Sequence, residues 1–142
     1  MRCRPPVALE LAERSRAENA VGLADARDGF IRDILSAVPS ARLTGSAHSR
    51  LAGNASFTFA GTSGESIVVE LERRGIVCSS GSACAAGSNE RSAVLLALWI
   101  TPELAQTAVR ISFGDGVEGT ELAVVSRELP HAVAAIGRGG TN

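Results

Sequence analysis

The sequence predicts a small α/β fold, in which about four short strands form one sheet and helices pack mainly on one of its faces. The chain has 142 residues, which is the length of one ordinary domain. Its composition, 45% hydrophobic and 20% charged, is typical of a chain that buries a core. Runs with helical periodicity alternate with short apolar or alternating runs, and this alternation indicates a layered α/β arrangement in one compact unit.

The first predicted element is a helix over residues 7–38, in two pieces because Gly22 and Gly29 weaken its middle. Asp28 and Arg32 have the acid-before-base spacing of four that supports a helical face. The stripe that we expect to be buried has helical spacing and consists of Leu23, Ala26, Phe30, Ile34 and Ala37.

Pro39 ends this helix, and residues 41–44 are predicted to form a first short strand. Residues 55–60 alternate between apolar and small polar side chains, which indicates a half-buried strand. A helix is expected over residues 65–74, and Gly75 is well placed as its left-handed stop.

The second half of the chain is predicted to hold two further strands and three helices. Residues 76–78 are apolar and largely β-branched, so we interpret them as a buried strand. Residues 79–88 are almost wholly serine, glycine and alanine around Cys84, which is typical of a mobile loop. The later predicted elements are a helix at 90–99, a short helix opening at Pro102, a strand at 109–113, a last helix at 121–136 and a disordered tail at 137–142.

Charge and composition exclude several classes of protein. The formal net charge is −1 and the pI is about 6.1, so the chain has no overall positive charge for nucleic acid or an anionic membrane. Glu10 and Glu13 interrupt any signal-like apolar run, and the stretch 93–100 is far shorter than the roughly 20 residues of a membrane span. Three cysteines are too few for a disulfide framework, so we expect a soluble cytoplasmic protein.

All 14 basic residues are arginines, and the chain therefore contains no lysine. A Schiff base to a cofactor aldehyde needs a lysine amine, which this chain alone cannot supply. The histidines His48 and His131 share no ligand spacing with Cys78 or Cys84, so no metal site is predicted.

Cys84 is the first candidate for chemistry. It stands among serines and glycines just past a predicted strand, where loop amides and a helix N-terminus would stabilise a thiolate. The alternative is a small buried hydrophobe, which most free cysteines are. Cys78 lies in an apolar run and is predicted to pack in the core.

Arg110 is flanked by apolar residues in a predicted strand. Its guanidinium either reaches solvent or binds an anion, and its planar fork suits a carboxylate. Arg50 leaves the same choice open on a loop, and Glu65 suits the first turn of its helix. His48 stays open as a partner for a catalytic cysteine, whereas His131 is expected at the surface.

Six motifs together occur in the order and spacing of one family: RLAGN at 50–54, SF at 56–57, GE at 64–65, GI at 75–76, SSGSAC at 79–84 and RISFG at 110–114. From residue 7 to residue 136, the chain resembles the C-terminal, small domain of a pyridoxal-phosphate-dependent cysteine desulfurase. This family is class V aminotransferase-like and serves iron–sulfur cluster assembly or nitrogen fixation. The fold implied is that of the C-terminal domain of fold-type-I pyridoxal-phosphate enzymes, with residues 1–6 as an unmatched extension.

The resemblance implies removal of sulfur from L-cysteine, which gives L-alanine and a persulfide on an active-site cysteine. Cys84 matches that catalytic cysteine. Arg110 matches the arginine that binds the substrate carboxylate, and Asn54 matches a position lining the substrate pocket. The resemblance further implies pyridoxal phosphate as cofactor, an iron–sulfur scaffold or another sulfur carrier as acceptor, and a homodimer for the complete enzyme.

The sequence also departs from this family. The cofactor lysine belongs to the large domain, which is missing here, so no residue of this chain is expected to bind the cofactor. Asp115 replaces a residue that is usually basic, Ala52 replaces a usual proline, and Trp99 stands where glycine is usual. We therefore expect the chain to be inactive alone.

Three hypotheses about its function follow. The chain is the small domain of a cysteine desulfurase, as a fragment or split subunit; or it is a non-enzymatic module that accepts sulfur or binds a partner through Cys84. The third is a degenerate remnant that self-associates through an exposed face. A lysine-bearing large domain encoded immediately upstream would favour the first hypothesis.

Overall fold

The computed structural model describes residues 5–81, 91–114, 116–117 and 119–139. Within these ranges the helices are α1 (Pro5–Ala37), α2 (Gly64–Glu72), α3 (Ala93–Ala97), α4 (Pro102–Ala105) and α5 (Gly119–Gly139). The strands are β1 (Ala41–Leu43), β2 (Asn54–Phe59), β3 (Ser79–Ser80) and β4 (Ala108–Ser112).

Helix α1 is one continuous helix, so the expected division into two pieces is wrong. A glycine inside a helix costs about 1 kcal/mol relative to alanine, which weakens a helix without breaking it. Burial of Phe30, Ile31 and Ile34 against the sheet offsets that cost. The helical face that the Asp28 and Arg32 spacing supports lies within α1, and the described ion pair of Asp28 is with the preceding residue, Arg27, at 2.8 Å.

The described strands form one antiparallel sheet in the order β1-β2-β4-β3. Strand β2 is central: Leu43 of β1 pairs with Phe57, and Phe57 also pairs with Val109 of β4. This sheet with its helices confirms the predicted α/β fold class.

The two faces of the sheet differ because side chains alternate along each strand. Phe57, Phe59 and Val109 are fully buried on the face that α1, α2 and α5 cover, where the two phenylalanine rings lie 6.1 Å apart. On the opposite face Ser56 pairs with Arg110, and the short helices α3 and α4 cover only part of it. That second face, with its polar side chains, carries the candidate site.

The predicted strand at 76–78 is wrong. The strand begins directly after these residues, at Ser79, which pairs with Arg110 of β4. The Ile76 amide instead donates to the Leu71 carbonyl at 3.0 Å, which closes the end of α2. Val77 is 89% exposed, so it joins no core. Gly75 has a φ of +78°, which confirms it as the left-handed stop.

Two helix boundaries also differ from the prediction. Helix α3 begins only at Ala93, because the Ser92 side chain caps it by accepting from the Leu95 amide at 3.4 Å. Helix α5 continues to Gly139 and so extends into the segment that was expected to be a disordered tail.

Candidate functional site

A cavity of about 330 Å³ opens on the second face of the sheet. Its floor is formed by Asn54 and Ser56 of β2 with Arg110 of β4. The segment 44–53, which we call the cavity loop, contributes residues 44–46, 49 and 50 to the lining, and helix α3 contributes Val94 and Leu95. Asn54 and Arg110, which the sequence singled out separately, therefore line one cavity.

Arg110 reaches this cavity because its neighbours Val109 and Ile111 point into the core on the other face. Its side chain is half-buried, and its guanidinium makes no hydrogen bond or ion pair with any residue that the structure describes. A guanidinium offers five N–H donors and binds a carboxylate bidentately. Of the two roles open to Arg110, the cavity favours anion binding.

Asn54 begins strand β2 at the end of the cavity loop. Its amide Nδ2 donates to Ser112 Oγ at 3.3 Å, across the pair that joins the two strands. Its backbone N–H donates to the Leu51 carbonyl at 3.3 Å, which closes a turn. The Asn54 side chain is therefore fixed on the cavity floor.

Arg50 holds the cavity loop in shape. Its Nε donates to the Ser46 carbonyl at 2.7 Å, and its Nη2 donates to the Thr44 carbonyl at 2.9 Å. Partial burial, and secondly the positive charge of Arg27, lower the pKa of Arg50, while the Asp28 carboxylate opposes this shift. The sequence left the role of Arg50 open, although its spacing of four from Asn54 placed both on the same loop.

Gly53 brings the cavity loop against the end of β4. Its carbonyl accepts from the Phe113 amide at 2.9 Å, and a Cβ on Gly53 would lie 1.9 Å from the Phe113 carbonyl oxygen. Only glycine permits so close an approach of two backbones. This contact fixes the residue before Asn54.

Cys84 lies outside the described residues, as does Asp115. The described residues that flank the segment with Cys84 are Gly81 before it and Arg91 after it. Gly81 lines the cavity, and so does Ser92, which follows Arg91. The Gly81 amide donates to the Ala108 carbonyl at 3.4 Å, beside Arg110. The chain that carries Cys84 thus leaves and rejoins the fold at the cavity wall.

Cys78 packs against the core, as the sequence predicted. Burial, and secondly the nearby Glu72 carboxylate, raise the pKa of its thiol to about 11. A thiol with so high a pKa is protonated at neutral pH and is a poor nucleophile.

The other polar candidates stay apart from the cavity. His131 is exposed on α5, as expected, and His48 is exposed on the cavity loop but does not line the cavity. Glu65 lies in the first turn of α2, after the capping Ser63. Across the described part of the chain, no three His, Cys, Asp or Glu side chains gather as metal ligands, and no helix is long and apolar enough to cross a bilayer.

The family model described as aminotransferase class-V matches residues 7–123. The chain is 35% identical over 128 residues to the "IscS-like cysteine desulfurase" of Mycobacterium tuberculosis, which covers 89% of this chain and 33% of that protein. It is 38% identical over 130 residues to "Cysteine desulfurase NifS" of Azotobacter vinelandii, which covers 91% of this chain and 31% of that protein.

A solved structure described as a NifS-like protein superposes with a TM-score of 0.76 at 20% identity, over 90% of this chain and 32% of that one. A second, a NifS-like protein from Rickettsia africae, gives a TM-score of 0.70 at 18% identity, over 89% of this chain and 33% of that one. The chain thus spans about a third of the length of these relatives. The family match over residues 7–123 shows that the chain belongs to the aminotransferase class-V family.

Proposed function

We propose that this chain is the part of a cysteine desulfurase that binds the substrate carboxylate and carries the sulfur-accepting thiol. The observation that carries the proposal is the Arg110 guanidinium, which lines the cavity without a described partner. The names of the relatives, IscS and NifS cysteine desulfurases, support the choice of substrate. In this proposal Arg110 binds the carboxylate of L-cysteine and Asn54 lines the pocket beside it.

The thiolate of Cys84 would attack the sulfur of L-cysteine. An S–S bond forms, the C–S bond breaks, and its electron pair stays on the substrate carbon, which takes up a proton. The balanced products are L-alanine and a persulfide on Cys84. An iron–sulfur scaffold or another carrier would then accept the outer sulfur atom.

Pyridoxal phosphate does not fit this chain by itself. The cofactor is held through a Schiff base to a lysine amine, and these 142 residues contain no lysine. In the proposal, residues beyond this sequence supply the lysine and hold the cofactor. We expect the complete enzyme to be a homodimer. The chain alone is therefore expected to be inactive.

A second function is favoured by the same absence of lysine. Cys84 would accept sulfur from a persulfide made elsewhere and pass it to a partner, without any cofactor. This module would need the thiol and a docking surface but not the carboxylate-binding role of Arg110.

Release of L-alanine tests the proposal. The purified chain is incubated with L-cysteine and pyridoxal phosphate, alone and with a lysine-bearing large domain of the family. We expect no alanine from the chain alone, and turnover when the large domain is added. Cys84→Ala should abolish that turnover, and Arg110→Met should lower kcat/KM roughly 100-fold because it removes a bidentate ion pair.

Cys78→Ala is the matched control, since Cys78 is a protonated core thiol, and it should leave the rate unchanged. Alanine from the chain alone that depends on Cys84 would contradict the argument from the missing lysine. Turnover of the mixture that survives Cys84→Ala would overturn the proposal. A persulfide that forms on Cys84 from a small persulfide donor, with no alanine in any mixture, would select the second function.

A further inference from the structure

We propose that Arg27 of helix α1 is a positioning residue for the carboxylate site: it holds the cavity loop in place and adds its positive charge beside Arg50. The inference rests on the proposed function for the identity of the ligand. Arg27 does not line the cavity, so it acts through the loop and not by touching substrate.

Burial distinguishes Arg27 from the other charged residues. Among the residues that the structure describes, it is the only charged one that the fold buries, at 5% exposure. A buried charge loses its hydration, and a well-packed apolar side chain at such a site is often as stabilising or more so. Asp28, its ion-pair partner, is 44% exposed, so Arg27 is not needed to neutralise a buried carboxylate. The core therefore gives no reason for an arginine here.

The contact that Arg27 makes across the fold supplies a reason. Its Nη1 donates to the Leu51 carbonyl at 3.0 Å, 24 residues along the chain. The same carbonyl accepts from the Asn54 amide at 3.3 Å. The Leu51 side chain is 78% exposed, so it does not hold the loop through apolar packing. The guanidinium of Arg27 thus holds the cavity loop at Leu51, close to the end of the loop.

Its charge also acts on the site. Arg27 is close enough to Arg50 for their repulsion to lower the pKa of Arg50, and Asp28 offsets only part of this effect. Among the described residues that line the cavity, Arg50 and Arg110 are positively charged and none is an Asp or Glu, and Arg27 adds a further positive charge beside Arg50. A bound carboxylate would relieve that repulsion, so the positive charge favours binding of an anion.

The test uses the full chain and two measurements, amide hydrogen exchange and titration with L-alanine followed by NMR. L-Alanine carries the carboxylate of the proposed substrate without its thiol. We expect Arg27→Met to speed exchange of the Asn54 amide about tenfold, because the Leu51 carbonyl loses its hydrogen bond from a charged donor. Exchange of the Val109 amide in the core should stay unchanged. The same change should weaken L-alanine binding about fivefold or more, and Arg27→Lys should recover part of the affinity.

Arg42→Met is the matched control. Arg42 also donates to backbone carbonyls, those of Pro39 and Ala41, but it does not line the cavity, and its side chain makes no described hydrogen bond or ion pair with the cavity loop. The Arg42→Met variant should show the same amide exchange at Asn54 and the same L-alanine affinity as the unchanged chain.

Arg110→Met separates this inference from the proposed function. If the unchanged chain and Arg110→Met bind L-alanine equally or not at all, the proposed role of Arg110 fails, and the exchange measurement still tests Arg27. Exchange at Asn54 that Arg27→Met leaves unaltered would overturn the inference. Exchange that rises equally at Asn54 and Val109 would also overturn it, because Arg27 would then stabilise the whole fold and not the loop.

Discussion

Trp99 ends helix α3 in a backbone conformation that favours glycine. Its φ is +61°, and its amide donates to the Leu96 carbonyl at 3.0 Å while the Ile100 amide donates to the Leu95 carbonyl at 3.1 Å. This pair of bonds is a Schellman motif with tryptophan at the position that glycine usually holds. The Trp99 side chain is 95% exposed, so packing does not compensate for the strain.

Replacement of Trp99 by glycine should therefore stabilise the chain. We expect Trp99→Gly to raise the free energy of unfolding by about 1 kcal/mol, because glycine adopts a positive φ without strain. Urea unfolding followed by far-UV circular dichroism measures the change. Trp99→Ala is the control: it removes the indole but keeps the strain, so its stability should stay near that of the unchanged chain. A glycine variant no more stable than the alanine variant would contradict the prediction.

Cys78 should react slowly at neutral pH. In the double variant Cys3→Ser, Cys84→Ala it is the only thiol, and with a pKa of about 11 only about one part in ten thousand is thiolate at pH 7. The rate with a disulfide reagent should rise about tenfold per pH unit from pH 7 to pH 9. The denatured chain, with a thiol pKa near 9.0, is the reference and should react faster. A rate that levels off below pH 9 in the folded chain would be inconsistent with the burial of this thiol.

The raised pKa of Cys78 also links stability to pH. The protonated thiol favours the folded state, and this contribution is complete below pH 9. It is lost as the pH rises from about 9, the pKa of the exposed thiol, towards about 11, that of the buried one. Near neutrality the contribution of Cys78 is therefore fully present and does not change with pH.

At the scale of single elements, two glycines that are alike in sequence differ in structure. Gly22 lies inside α1, where an added Cβ would meet nothing within 4 Å. Gly53 lies in the cavity loop, where the same atom would lie 1.9 Å from the Phe113 carbonyl oxygen. The first position tolerates a side chain and the second does not.

Alanine at these two positions should change stability in opposite directions. We expect Gly22→Ala to raise the free energy of unfolding by about 0.5–1 kcal/mol, since alanine is the better helix former. Gly53→Ala should lower it by about 2 kcal/mol or more, because the loop must move away from β4. Chemical denaturation of both variants measures the two changes in the free energy of unfolding. Changes of the same sign and size would refute the claim that only Gly53 requires glycine.

Hydrophobic pattern made some elements predictable and left others hidden. Strand β2 was predictable because its phenylalanines alternate with small polar residues, and β4 because an apolar run surrounds Arg110. Strand β3 was not predictable, because its two serines carry no hydrophobic pattern. They form a strand only through their pairing with β4. Continuity of α1 depends on burial of its second half, which a local count of glycines does not include.

At the scale of the whole molecule, the sequence could identify the cavity residues only one by one. Arg110 and Asn54 were found through strand pattern and family resemblance, and the sheet register explains why they share a face. Arg27 could not be found in this way, since in sequence it is one more charge on a helix. Its burial and its hydrogen bond to the Leu51 carbonyl, 24 residues later, are tertiary features that a local pattern does not contain.

The sheet order also has a consequence for how copies of this chain meet. Strands β1 and β3 lie at its two edges, and they are three and two residues long. A long exposed edge invites another chain to add a strand, which is a common route to aggregation. Edges this short offer few unpaired backbone groups, and β1 also carries the charged Arg42. The described edges therefore give another copy of the chain little opportunity to extend this sheet.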